Sequence, residues 1–259
     1  MEGSMTSVSA SPARPMDCSD AERDARIELA LAYRWAHHQG WSTFIYNHIT
    51  ARVPDEPGMF LIKRHDALFK EVSASTLVKL SLDGTPAPGY EQINVAGFNI
   101  HAALLRARPD LGSVMHMHPL DAVAVSAHGT ELLPLCQTSM RFYQRISYHD
   151  YEGLSEDSDE CARLAANLGP RNKAMILRNH GLLTCGASVS QAIYIMGQLI
   201  TACQVQRAVL SMQGQAHLPP VEVCEHTARQ WEAFDQTGAR ANLHAYMRVM
   251  DAIDPGYRN

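Results

Sequence analysis

The stretch "VMHMHP", residues 114–119, sets His116 and His118 one residue apart among apolar neighbours. In an extended strand, residues i and i+2 project from the same face. Two imidazoles can therefore converge on one cation while Met115 and Met117 enter a core on the other side. By itself such a pair reads equally well as hydrogen-bonded strand histidines, so a third ligand has to decide. His180 in "ILRNHGLLTCG" is the best candidate, because it too lies where an apolar run breaks into a polar, glycine-bearing tip. Three neutral imidazoles with open positions describe a catalytic rather than a structural metal site. His101, on the helix ahead of the pair, reads either as a group that orients a ligand or as simple packing. His37, His38, His128, His217, His226 and His244 read as solvated or structural.

The surrounding pattern predicts what positions these residues. From Asp20, "DAERDARIELALAYRWAHHQG" has helical apolar spacing and a glycine stop at Gly40. "IYNHITARV" and "GMFLIKR" are short β-rich runs joined by the turn-forming "PDEPG", and "SASTLVKLSLDG" adds a capped turn, a strand and an Asp-Gly turn. "NVAGFNIHAALLRARPDLG" is a helix that feeds a buried strand, "SVMHMHP", so the histidine pair sits at that strand's C-terminal end. Beyond it come a helix ("LDAVAVSAHG"), a strand ("ISYHDYEG") and a second helix ("EDSDECARLAANLGP"). "KAMILRNHGLLTCG" reads as one apolar strand with a broken tip, and "VSQAIYIMGQLITACQVQRAVLSMQG" as the longest helix. Strands and helices mix along the whole chain, which predicts an α/β class. The expected organisation is a disordered N-terminal tail over 1–20, one domain over 21–235, and a C-terminal helix and tail over 236–259.

The 259 residues suffice for a sizeable core, and the net charge of -5, without runs of one sign, excludes nucleic acid or an anionic membrane surface as a partner. Six scattered cysteines, none in a CxxC pair, predict buried thiols in a reducing compartment. No window is apolar over the roughly 18 to 20 residues that span a bilayer. The opening "MEGSMTSVSASPARPMDCSD" also lacks the apolar segment of a secretory signal, so the expected location is cytoplasmic.

Five stretches carry a resemblance: "ERDARIELALAYRWAHHQGWSTFIYNHITARVP", "FKEVSASTLVKLSLDG", "NVAGFNIHAALLRARPDLGSVMHMHP", "SYHDYEG" and "ILRNHGLLTCG". In order and spacing they resemble the class II aldolase/adducin head-domain family over about residues 22–215. The resemblance implies a three-layer α/β/α fold around a central, mainly antiparallel sheet, and a homotetramer with sites between subunits. It implies that His116, His118 and His180 hold a divalent cation, zinc ahead of manganese or iron. The long apolar helix 189–212 offers surface for such an assembly.

The chain departs from the sugar-phosphate aldolases where their acid/base Glu stands, four residues before the helix histidine: that position is Gly97. The hydroxyl residues that help bind phosphate fall on Val95 and Ala96, so phosphorylated sugars are not the expected substrates. "NVAGFNIH" looks instead like the adducin-type branch, although the adducin heads lack the histidine set that this chain keeps. In "KRHDALFKE", Lys63, Arg64 and His65 replace neutral residues of the branch and read either as a site for a carboxylate-bearing ligand or as a solvated turn. Asn47 stands in the place of the family's ligand-binding Gly-Asn loop. Glu71 reads as a stand-in base or as part of the capped turn that follows it. Arg141 and Tyr148 lie in a segment that the resemblance puts near the site, Arg141 as a substrate contact and Tyr148 as a proton donor. Asn179, beside His180, is expected to orient it.

A three-histidine cation site of this kind can chelate a 2-oxo or 2-hydroxy acid and stabilise the enolate left when a neighbouring C–C bond breaks. The leading expectation is a metal-dependent C–C lyase, decarboxylase or aldolase in type, acting on a small carboxylate-bearing substrate. Decarboxylation leads because it needs no base to remove a hydroxyl proton. The alternatives are an Fe(II)-dependent oxygenase on the same ligands and a non-catalytic, adducin-like interaction domain.

Overall fold

A computed structural model of the chain describes residues 18–85, 95–153 and 158–259. The tail expected over 1–20 lies, except for its last three residues, outside them, as do the side chains of Val95 and Ala96.

The first helix, α1 (Asp20–His38), starts where the Ser19 side chain accepts from the Glu22 N–H at 3.1 Å, and acidic Asp20 and Glu22 occupy its positive end. The strands β1 (His48–Arg52) and β2 (Met59–Ile62) form the expected hairpin, with Ala51 opposite Leu61, and β3 (Val78–Ser81) joins the outer edge of β2. Helix α2 (Val95–Ala107) leads into β4 (Ser113–Met117), which pairs with β1 on one side. Then follow α3 (Leu120–Ser126), α4 (Gln137–Met140), β5 (Ser147–His149) and α5 (Ser158–Leu168).

The stretch read as one broken strand is instead a hairpin, β6 (Ala174–Leu177) and β7 (Gly181–Gly186), closed between Leu177 and Gly181. Asn179 allows the reversal by taking a left-handed backbone, φ 57°, which asparagine tolerates better than most side chains. Helix α6 (Val189–Leu210) matches the long apolar run. Helix α7 (Val221–Ile253) begins earlier than expected and runs unbroken through residue 235.

The seven strands order as β3-β2-β1-β4-β7-β6-β5. Five of the six pairings among the described residues are antiparallel; only β5 and β6 run parallel. Strand parity splits the core in two. Ile49, Leu61, Met115, Met117, Ile176 and Leu182 pack with α1, α3, α6 and α7 residues such as Leu29, Val125, Ile193 and Leu243. Phe60, Val78, Val114, Met175 and Leu183 pack with α2 and α5 through Leu104 and Leu164. The result is three layers, helix, sheet and helix, with β4 at the centre. All six cysteines are free. No helix among the described residues is long and apolar enough to cross a membrane.

Candidate metal centre

Met115 and Met117 are fully buried on the α6 side, so His116 leaves β4 toward the α2 side. Its Nδ1 lies 2.9 Å from the Leu182 carbonyl, which can only accept, so the ring proton sits on Nδ1 and Nε2 carries the lone pair. Just past the strand, His118 brings its Nε2 to 2.7 Å from that atom, and His180, at the β6–β7 tip, brings its own to 3.3 Å. One nitrogen from each of the three lies within 4.8 Å of the other two.

A single lone pair accepts one hydrogen bond along its axis, yet two ring nitrogens approach it. A cation between the three satisfies all of them: with Zn–N bonds of about 2.0 to 2.1 Å, tetrahedral nitrogens stand about 3.3 Å apart. Burial, reinforced by neighbouring histidines, holds His116 well below the usual imidazole range and His118 down to about 4. Burial also lowers His180. Each therefore offers a neutral ring nitrogen, the form that binds metal. The residues fit a divalent cation.

The local backbone explains why the tip can reach His118. A Cβ at Gly181 would lie 2.6 Å from the Met117 carbonyl oxygen and 2.7 Å from His118 Cδ2, so only glycine lets β7 begin against that ring. Asn179 contributes through its backbone, by the left-handed turn and a 3.1 Å bond from its N–H to the Ser126 carbonyl.

Behind the three ligands lies a second histidine group. His48 pairs with His116 across β1 and β4. Its Nδ1 is 2.9 Å from His101 Nε2, and His101 Nδ1 is 2.7 Å from the Thr50 hydroxyl. Burial takes His101 down to about 3 and holds His48 well below the ordinary value. His101 therefore bonds to the β1 side chains of His48 and Thr50. Neither His48 nor Thr50 stood out in the sequence. The alternation in "NHIT" places them on one face, but only the β1–β4 register puts that face beside His116.

Other expectations are corrected. Lys63 is 2% exposed and gives its ammonium to the carbonyls of Ile45, Arg64 and His65 at 2.9, 3.1 and 3.2 Å, so it staples a loop instead of offering a ligand contact. Burial pushes its pKa down to about 8. Arg64 forks onto Asp66. His65 joins the staple through its carbonyl, while its buried Nδ1 has no partner among the described residues. The Glu71 carboxylate accepts from the Leu68 N–H at 2.8 Å and so caps a short turn. Tyr148 packs on the α6 face of the sheet, and its hydroxyl accepts from the Leu132 N–H at 2.9 Å. Tyr151 is the tyrosine near the centre, half exposed, with its ring 6.2 Å from that of His180. Arg141 pairs with Asp235 of α7 in a cavity beside Lys173, before the start of β6, whereas His180 follows that strand's end. Asn47 is fully buried; its Oδ1 accepts from the Thr43 N–H at 2.7 Å, and its Nδ2 has no acceptor among the described residues.

Comparison with known proteins agrees with this architecture. The family description "Class II Aldolase and Adducin N-terminal domain" matches residues 27–207. A crystal structure of an aldolase II superfamily protein from Pseudomonas syringae is 41% identical, with a TM-score of 0.89 over 94% of this chain and 98% of that one. The L-fuculose 1-phosphate aldolase from Glaciozyma antarctica is 25% identical, with a TM-score of 0.80 over 95% and 98%. Alpha-adducin from Rattus norvegicus is 41% identical over 92% of this chain, and the match spans 34% of that longer protein. With sequence, fold and length of match in agreement, the chain belongs to the class II aldolase and adducin N-terminal domain family.

Proposed function

We propose that the protein is a divalent-metal-dependent C–C lyase acting on a small carboxylate-bearing substrate. The observation that carries this reading is the convergence of three imidazole nitrogens, from His116, His118 and His180. A cation bound there, zinc ahead of manganese or iron, would supply the Lewis acidity that stabilises an enolate and the charge that pairs with a carboxylate. That counter-charge matters because Lys63 and Arg64 are committed elsewhere. Asn47, with its amide donor unpartnered, supports a polar ligand next to the centre. Tyr151, whose ring lies 6.2 Å from that of His180, takes the place of Tyr148 as the candidate proton donor.

Large apolar side chains surround this end of the molecule: Phe44, Tyr46, Leu120 and Tyr151 are all more than half exposed. They support packing between copies of the chain around the site, in a homotetramer.

The identity to alpha-adducin favours a second reading, a non-catalytic interaction domain. Metal analysis separates the two, combined with a screen of 2-oxo, 2-hydroxy and hydroxyaryl carboxylic acids under zinc, manganese and iron, in air and under argon. Bound zinc or manganese with C–C cleavage supports the lyase. Strict dependence on oxygen with iron overturns it in favour of an oxygenase, and a chain that binds none of the metals supports the interaction domain.

A further inference from the structure

Position 97, which carries the acid/base Glu in the sugar-phosphate aldolases, holds glycine here, but its space is filled. A Cβ at Gly97 would lie 2.6 Å from Cδ2 and 2.8 Å from Nε2 of His48, closer than such atoms pack. The imidazole from β1 occupies, from the sheet side, the volume that a side chain would enter from α2.

Two observations say what that imidazole can do there. The first concerns its distance from the cation site. The rings of His48 and His116 are 5.1 Å apart, but among the described residues only His116, His118 and His180 bring ligand atoms within 4.8 Å of one another. His48 therefore stands beside the ligand set without joining it, close enough for His118 and His180 to act on its ring electrostatically.

The second concerns its orientation. The Thr50 hydroxyl reaches the Val114 carbonyl at 3.4 Å and lies 2.7 Å from His101 Nδ1. A carbonyl only accepts, so Thr50 donates to Val114, His101 donates through Nδ1 to Thr50, and His48 donates through Nδ1 to His101 Nε2 at 2.9 Å. This direction gives every proton in the chain an acceptor. It leaves a lone pair on His48 Nε2, the atom next to Gly97.

The geometry points to His48 as the proton acceptor of this centre, in place of the absent carboxylate, with His101 and Thr50 as positioning residues that hold its tautomer. The inference rests on the lyase reading and narrows it. With a base present, aldol cleavage becomes available, and the fitting substrate class is a 4-hydroxy-2-oxo acid. His48 Nε2 takes the 4-hydroxyl proton as the C3–C4 bond breaks. The bond's electron pair passes to the enolate of the 2-oxo acid, and C4 departs as a carbonyl compound. The proton then moves from His48 to C3 of the enolate, so the imidazole ends neutral and no other reactant is consumed.

The test uses the full-length, zinc-loaded chain. Pyruvate in deuterium oxide serves as the probe, its methyl exchange followed by proton NMR. His48→Ala and His48→Gln should slow exchange by about 10²-fold or more, the scale of general acid–base catalysis. Zinc affinity, measured by chelator competition, should change by no more than about threefold, below the 10 to 100-fold losses typical when a ligand's support is removed. The double variant His48→Ala/Gly97→Glu, in which a carboxylate enters the vacated space, should regain exchange. Nitrogen-15 spectra of labelled histidine should show His48 protonated on Nδ1, and Thr50→Val should weaken that preference without removing zinc.

Unchanged exchange in both His48 variants overturns the proposal, as does tenfold or greater zinc loss or a proton on His48 Nε2. If the wild-type protein binds zinc but exchanges nothing, the lyase reading on a 2-oxo acid fails, and the tautomer alone then decides the assignment of His48.

Discussion

Two histidine groups share the α2 side of the sheet, and they differ in what their nitrogens can bond to. In the pair formed by His48 and His101, each contact leads on to another partner, ending at Thr50 and a carbonyl. In the trio formed by His116, His118 and His180, His116 is anchored through Nδ1, and the three Nε2 atoms lie close to one another. Buried polar groups that are satisfied within the chain hold their geometry; a set that is left facing itself is built for something that binds. Similar residue types in neighbouring places thus divide into a receptor and a chain of hydrogen bonds that holds His48 in place with one nitrogen open.

Changes on the receptor side should have the largest effects. His118→Ala should remove stoichiometric metal, weakening affinity by at least about 10²-fold, while circular dichroism shows the fold retained. Retained metal would mean that the trio is not the ligand set. Gly181→Ala should come next: a methyl group has to push aside the Met117 carbonyl or the His118 ring. Overpacking of this kind destabilises by roughly 1 to 3 kcal/mol, read as a lower Tm with weaker metal binding. A variant as stable as the parent would show that the tip adjusts freely.

The hydrogen-bonded side should respond to pH. Burial takes His101 down to about 3 from the ordinary 6.5 of an unfolded chain, so between these values the unfolded state binds a proton that the folded state refuses. Stability of the metal-free protein should therefore fall as pH drops below 6.5, by about 1.4 kcal/mol per pH unit for this group. Denaturant midpoints at pH 7 and pH 5 would show it, and His101→Phe should remove this group's share of a dependence to which His48, His116, His118 and His180 also contribute. The smallest effect is expected for Tyr148→Phe. It removes one hydrogen bond to the Leu132 N–H, worth about 1 kcal/mol, and should leave metal content and turnover unchanged, whereas Tyr151→Phe should alter turnover.

Much of this was legible in the residues. Period-2 alternation in "VMHMH" put two histidines opposite two core methionines, and a glycine beside His180 marked a tip; both signals are local. The helices α1, α2 and α6 followed from apolar spacing and end residues. The β6–β7 hairpin was missed because its reversal depends on a left-handed asparagine rather than on a glycine pair. The start of α7 was missed because its first half is largely exposed, with apolar Val221, Val223 and Phe234 facing outward.

By itself, then, the sequence determined the α/β class and the i, i+2 spacing of His116 and His118, which depend on backbone periodicity and residue type, while the family resemblance pointed to His180 and to the glycine at position 97. Only the tertiary structure decided which polar groups are spent and which are free. Lys63 could have met a ligand, but three carbonyls surround it; Tyr148 and His149 differ by one position and face opposite layers. The replacement of an α2 side chain by His48 was decided there too. A strand slipped by one residue would turn His48 to the other face, and that register is set by the packing of the whole sheet between its helices, which no local pattern encodes.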